Sequence, residues 1–94
     1  MDYEKFKKRA DIIKAMAHPA RLIVIEALKD GEKCVCELNE LIDLEQSTLS
    51  RHLAVLRNSK IITDEKRGLN VFYKLRCPCV LTYIECIENV IDLK

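Results

Sequence analysis

The chain has 94 residues, 49% of them hydrophobic and 33% charged, with two glycines, two prolines and five cysteines. This composition excludes a long disordered chain, and it predicts one compact, largely helical domain over residues 1–94. No apolar stretch approaches the roughly 20 residues of a membrane span, and no signal-peptide core is present, so we expect a cytoplasmic protein without a membrane partner.

The net charge of +1 is unevenly distributed along the chain. Residues 46–76 contain seven basic and two acidic residues, whereas residues 1–45 and residues 77–94 each have a net charge of −2. Because the attraction to phosphate depends on where positive charge is concentrated, the basic segment is typical of a nucleic-acid contact surface. A solvated basic surface without a partner is the alternative on charge alone.

Four helices are predicted in the first two thirds of the chain. Apolar residues three or four positions apart, with charged residues between them, indicate amphipathic helices. Pro19 suits the first turn of a helix, and Gly31 suits the region after its end. The predicted helices span residues 4–17, 19–29, 34–42 and 46–58.

A β-hairpin and a last helix complete the predicted fold. β-branched and aromatic residues flank the turn residues 67–70, in which Gly68 suits positive φ. Pro78 then begins a helix with a wide apolar face that continues to the end of the chain. The fold class is therefore mostly α with a β-hairpin, and the order of elements is that of a winged helix-turn-helix, which reads DNA with its second helix.

The fourth helix has a leucine face and an opposite face of small polar residues. Small residues allow close approach to base edges, hydroxyls can bond bases or phosphates, and Arg51 can make a two-pronged contact to guanine. Arg51 could instead be an ordinary surface charge, and His52 could either touch DNA or pack at the edge of the core. At the hairpin tip, Lys66 and Arg67 suit phosphate or minor-groove contacts. The predicted DNA-binding residues are Ser47, Thr48, Ser50, Arg51 and Arg67.

Four segments, HPARLIVIEAL, CVCELNELI, QSTLSRHLAVLRNSKII and VFYKL, together resemble the ArsR/SmtB family of winged-helix transcriptional repressors across residues 10–76. The resemblance implies a homodimer built from the first and last helices, which binds an inverted repeat in double-stranded operator DNA and leaves it when an inducer binds.

No βαβ pattern, glycine-rich phosphate loop or nucleophile elbow is present, so we do not expect an enzyme.

Cys34 and Cys36 match two cysteines of the arsenite-sensing branch of that family, while Asn39 stands where a third cysteine would be expected. We therefore expect no permanent cofactor but an inducer such as As(III), Sb(III) or another thiophilic metal, because such ions favour thiolates. Residues two apart on an ideal helix diverge by about 200°, so joint binding requires an irregular helix start. A disulfide within the pair would be strained, and we expect any bridge to join different clusters or protomers.

A second group of thiols, Cys77, Cys79 and Cys86, could supply further metal ligands or redox-active sulfurs. Thiols in the first turn of a helix feel its partial positive charge, which favours the reactive thiolate. Cysteine oxidation is therefore an alternative to metal binding as the signal. Small buried hydrophobic cysteines are a further alternative, and structural zinc is disfavoured by the CxC spacing.

Overall fold

The computed structural model describes residues 1–92 and has five helices and three strands. In chain order these are α1 (Tyr3–Met16), α2 (Pro19–Ala27), β1 (Lys33–Cys34), α3 (Val35–Leu41), α4 (Gln46–Asn58), β2 (Ile62–Arg67), β3 (Asn70–Leu75) and α5 (Cys79–Ile91). The predicted winged-helix order is confirmed, and Gly68 in the hairpin turn has the expected positive φ of 61°. No described helix is long and apolar enough to cross a membrane.

Strand β1 was not predicted, because two residues are too few to show an alternating pattern. The sheet is antiparallel with the order β1-β3-β2. Lys33 lies opposite Tyr73, and Cys34 lies opposite Phe72. The hairpin is therefore joined by backbone pairing to the segment that holds the first cysteine.

The ends of the helices follow from local hydrogen bonding. Pro19 occupies the first turn of α2, and the Nδ1 atom of His18 accepts a hydrogen bond of 3.0 Å from the backbone N–H of Ala20. At the end of α4, the N–H of Ile61 donates to the carbonyl of Leu56 at 3.1 Å, and Lys60 adopts a positive φ of 64°. This is the Schellman arrangement, which stops the helix and turns the chain into β2.

The hydrophobic core holds the helices and the sheet together as one unit. Burial of each large apolar side chain contributes about 1.5–3 kcal/mol, so this cluster fixes how α3 and α4 lie against the hairpin. Its most completely buried members are Val24, Ile25, Leu38, Leu49, Leu53, Leu56 and Ile62.

Helix α5 contributes no fully buried residue to this core. Its apolar side chains remain substantially exposed, for example Val90 at 67% and Tyr83 at 48%. Phe6 and Ile13 of α1 are also more than two-fifths exposed. A cavity of about 130 Å³ lies between α1 and α5, with an almost wholly apolar lining. The two terminal helices thus present apolar surface to the outside of the protomer.

Candidate nucleic-acid interface and cysteine pair

Helix α4 has the two faces that the sequence predicted. Its inner face is almost fully buried and consists of Leu49, Leu53 and Leu56. Its outer face carries the predicted DNA-contacting residues, namely Ser47, Thr48, Ser50 and Arg51, of which only Thr48 is half-buried. This arrangement gives a helix surface with three hydroxyls and one guanidinium, all of which can hydrogen-bond base edges or phosphates. Contact with DNA itself stays a prediction.

A polar cluster fixes α4 against the first two helices. The Nε of Arg21 donates to Nδ1 of His52 at 3.0 Å, and Nη1 of Arg21 donates to the carbonyl of Ala15 at 3.1 Å. The rings of His18 and His52 lie 4.3 Å apart between centroids. Burial, followed by the nearby charges of His18 and Arg21, lowers the pKa of His52, which favours the neutral ring that accepts from Arg21. His52 therefore packs at the edge of the core, and Arg21 positions α4 against α1 and α2.

This role of Arg21 was missed at the level of sequence. The two partners are 31 positions apart, and no helical or strand periodicity connects them. The only local signal is that Arg21 falls two residues after a helix-opening proline.

Arg67 lies at the hairpin tip, as predicted, but its guanidinium already has partners in the protein. Nη1 and Nη2 each donate to one carboxylate oxygen of Glu32 at 2.6 Å, and Nε lies 3.3 Å from Glu65. The guanidinium also stacks on the ring of Phe72 at 4.6 Å. The hydrogen bond from Arg67 lowers the pKa of Glu32. A contact between Arg67 and DNA stays a prediction, and it requires Arg67 to exchange carboxylate for phosphate.

Cys34 and Cys36 form a disulfide, so the expectation that a bridge would join different clusters was wrong. That expectation placed both residues inside a helix. In the structure α3 begins only at Val35, and Cys34 is an extended N-cap residue with φ −78° and ψ 164°. The two Cα atoms are consequently 5.4 Å apart, which is within the range that a disulfide spans. The irregular helix start that joint ligand binding requires is present.

The two sulfurs have different surroundings. Cys34 is 5% exposed, and its Sγ accepts a hydrogen bond of 3.4 Å from the N–H of Glu37, while Cys36 is exposed. The carboxylate of Glu37 accepts from the N–H of Cys34 at 3.2 Å, which completes a capping box. Through β1, Cys34 also lies opposite Phe72, on which Arg67 stacks. The cysteine pair is thus in direct structural contact with the hairpin.

The other three cysteines are free thiols, with Cys77 half-buried and Cys79 and Cys86 exposed. Within residues 1–92, no group of three or more His, Cys, Asp or Glu side chains is placed to hold a metal ion. The structure therefore does not bring these thiols to the Cys34–Cys36 pair within one protomer. At the position of the expected third cysteine, the Oδ1 of Asn39 is buried, with no hydrogen-bond partner among the described residues.

A groove of about 610 Å³ lies between α3, the first half of α4 and β3. Its walls combine the exposed cysteine of the pair, Cys36, with residues of α4 and of the hairpin. The lining residues are Val35, Cys36, Asn39, Glu40, Gln46, Ser50, Leu69, Asn70, Val71 and Tyr73.

The fold and the polar face of α4 define a winged-helix DNA-binding protein. Residues 18–64 match the sequence profile described as "Bacterial regulatory protein, arsR family". The chain belongs to this family of DNA-binding transcriptional regulators, which are not enzymes, and the predicted family is confirmed.

Individual relatives support this assignment. The chain is 37% identical over 88 residues to an HTH-type transcriptional regulator of Methanocaldococcus jannaschii, covering 93% of this chain and 99% of that protein. It is 39% identical to the arsenic resistance transcriptional regulator ArsR1 of Pseudomonas putida, covering 78% of this chain but only 56% of that protein. The structure of the transcriptional repressor BigR from Xylella fastidiosa superimposes with a TM-score of 0.79 at 31% identity, with all of both chains covered.

Proposed function

We propose that this protein is a homodimeric, cytoplasmic transcriptional repressor that binds an inverted repeat in operator DNA while Cys34 and Cys36 are reduced. Oxidation of the pair to a disulfide releases the DNA. The observation that carries this proposal is the bond between the two cysteines at a helix start that is paired with the hairpin. The similar protein BigR is a transcriptional repressor, which supports the direction of regulation.

DNA reading is assigned to the outer face of α4 and to the hairpin tip. Ser47, Thr48 and Ser50 bond base edges and phosphates, and Arg51 makes the directional contact to a base. The two copies of α4 in a dimer would read equal half-sites, because two-fold symmetry of a protein is matched by an inverted repeat in its DNA. A regulator of chromosomal DNA works where that DNA is, which supports the cytoplasmic location.

The proposed dimer is formed by the terminal helices. Exposed large apolar side chains on α5 and α1 need a partner surface, and a small domain gains stability when such surface is buried. A second copy of the chain offers a matching apolar face, because an interface with two-fold symmetry uses the same surface on both partners.

The sensing chemistry uses both sulfurs, with a peroxide as oxidant. The exposed Cys36 thiolate attacks one oxygen of hydrogen peroxide, the O–O bond breaks, and a sulfenic acid forms. The other oxygen leaves as hydroxide and takes a proton from solvent to become water. The Cys34 thiol then attacks the Cys36 sulfur, the S–O bond breaks, and a second water leaves as the disulfide forms. Two electrons pass to the peroxide, and a dithiol reductant reverses the change.

The conformational signal has a short path to the DNA-binding surface. Cys34 lies opposite Phe72, and the ring of Phe72 supports the guanidinium of Arg67. Because Cys34 also caps α3, changing its sulfur from thiol to disulfide alters both the helix start and the strand next to the hairpin. The expected effect of oxidation is a weaker contact between the β2–β3 hairpin, which is the wing of the fold, and the DNA.

A second candidate inducer is As(III) or Sb(III), bound by the same two sulfurs. The similarity to an arsenic resistance regulator favours this candidate, and soft metalloids prefer thiolates. Cys34 and Cys36 supply two sulfurs that approach each other closely, and a third donor must come from outside the pair. The metalloid would neutralise both thiolates and hold them together.

The experiment begins with selection of a binding duplex from a random-sequence pool by the reduced protein. The complex is then titrated with hydrogen peroxide and, separately, with arsenite, using the wild type and the variants Cys34→Ser, Cys36→Ser and Cys86→Ser. We expect peroxide to release the duplex from wild type and from Cys86→Ser, and to have no effect on Cys36→Ser, which lacks the reacting thiol. Cys34→Ser keeps that thiol but cannot form the disulfide, so its response shows how much of the release needs the bridge.

Three results would change the proposed inducer, the proposed sensing cysteines or the proposed recognition of an operator. Release by arsenite alone would replace the redox signal with the metalloid. Release that persists in both Cys34→Ser and Cys36→Ser would move the sensor to Cys77, Cys79 and Cys86. Selection of no sequence from the pool would contradict operator recognition.

A further inference from the structure

We infer that the groove between α3, α4 and β3 holds one sugar-phosphate strand of the bound duplex, and that DNA therefore shields the thiol of Cys36. This inference rests on the proposed function. It begins from the position of Cys36, which lines the groove together with Ser50 of the reading helix and Asn70 at the start of β3.

The geometry of duplex DNA places a strand at this position. A winged-helix protein inserts its reading helix into the major groove, and its hairpin reaches the adjacent minor groove. One sugar-phosphate strand separates these two grooves of the duplex. That strand must pass between α4 and the hairpin, which is where the cavity of about 610 Å³ lies.

The lining suits a strand that is positioned rather than strongly attracted. Asn39, Gln46 and Asn70 supply amide groups, and Ser50 supplies a hydroxyl. These are neutral donors that fix register on the phosphate backbone. Glu40 is the one charged residue among the described residues that line the groove. Its side chain is exposed there and repels phosphate. The attraction must therefore come from arginines and lysines outside the groove, and Glu40 limits how tightly the strand is held.

Cys36 connects this groove to the sensing chemistry. In the free protein the residue is exposed, so we expect a reagent in solution to react with its thiol once the disulfide is reduced. With a strand in the groove, the same sulfur is covered, and a group attached to it would occupy space that the strand needs. Reaction at Cys36 and DNA binding then exclude each other, and each weakens the other to the same extent. The inducer would act on repressor molecules that are free of DNA.

The test measures how fast Cys36 reacts with iodoacetamide in reduced wild-type protein, with and without the selected duplex. In this reaction the thiolate displaces iodide, a carbon–sulfur bond forms, and mass spectrometry identifies the modified cysteine. With free duplex at ten times its Kd, about one protein in eleven is free, so the rate at Cys36 should fall about tenfold. Cys79 is exposed and does not line the groove, and its rate is the internal reference.

The variant Cys34→Ser separates shielding of Cys36 by DNA from any effect of forming the disulfide. In Cys34→Ser, Cys36 cannot form the bridge, and serine is a favourable N-cap residue at this helix start. The concentration of free duplex is set at ten times the Kd of this variant, and we expect the same tenfold fall in the reaction rate of Cys36. Equal Cys36 rates with and without bound duplex, in both proteins, would overturn the groove inference and leave the proposed function standing. A protein that binds no duplex would overturn both.

Discussion

Arg67 and Glu32 are joined by two hydrogen bonds of 2.6 Å, which connect the tip of the hairpin to the residue just before β1. β1 contains Cys34, so the segment that holds the buried sulfur is attached to the wing both by backbone pairing and by this ion pair. The carboxylate also occupies the donors that Arg67 would offer to a phosphate. If Arg67 contacts phosphate as proposed, this contact would link the proposed sensing pair to the strength of DNA binding.

Substitution Glu32→Gln should strengthen binding to the selected duplex. It frees the guanidinium of Arg67 for phosphate and removes a negative charge near the DNA, so the slope of log K against log salt should steepen by about one. Affinity measured at several salt concentrations checks this. Glu26→Gln, which removes the exposed carboxylate on α2 that pairs with Lys29, is the matched control and should have no effect. Weaker binding by Glu32→Gln would show that the pair holds the wing in its binding position.

Substitution Arg51→Ala should cost about 1–3 kcal/mol of binding free energy and relax preference at one base, because a bidentate contact to guanine is lost. Arg57→Ala is the control, since Arg57 is on the same helix and is paired 3.2 Å from Asp64 of β2. Affinities for the selected duplex and for single-base variants of it check the prediction. Equal loss at every sequence would assign Arg51 to phosphate, and unchanged binding would remove it from the interface.

The folded protein should lose stability as the pH falls below about 6.5, the usual pKa of histidine. Burial lowers the pKa of folded His52, so the unfolded chain binds more protons in the window below that value, and stability falls until the pH reaches the folded pKa. Thermal unfolding between about pH 5 and pH 7.5 measures this effect. His52→Asn keeps an acceptor for Arg21 but does not titrate, and its Tm should vary less with pH. If the Tm of wild type and the Tm of His52→Asn varied equally with pH, a lowered pKa of His52 in the folded protein would be contradicted.

Substitution Val90→Asp should convert the proposed dimer to monomers. Val90 is 67% exposed in the protomer, so the change is tolerated by the fold, but burying an unpaired carboxylate in an interface costs several kcal/mol. The dimer dissociation constant should rise at least about a hundredfold, as measured by analytical ultracentrifugation. Leu69→Asp, at a hairpin residue that is 99% exposed, is the control and should remain dimeric. A dimeric Val90→Asp protein would place the interface elsewhere.

The features that could be predicted from the sequence depend on neighbouring residues, and the features that could not depend on residues far apart in the chain. The leucine face of α4 and the Gly68 turn follow from periodicity and backbone preference, so both could be predicted from short stretches of sequence. The partners of Arg21 and Arg67 lie 31 and 35 positions away, and only the folded chain brings them together. The disulfide was misjudged because a one-residue shift in the start of α3 changes Cys34 from helical to extended.

The most direct test compares the affinity of the dithiol and the disulfide forms of wild-type protein for the selected duplex, by fluorescence anisotropy at one salt concentration. A coupling of about 1–3 kcal/mol is typical of regulated binding, so the disulfide form should bind about 5–150-fold more weakly. In Cys36→Ser, the same oxidising treatment should leave the Kd of that variant unchanged. Equal affinity of the two wild-type forms would contradict control of DNA binding by the Cys34–Cys36 disulfide.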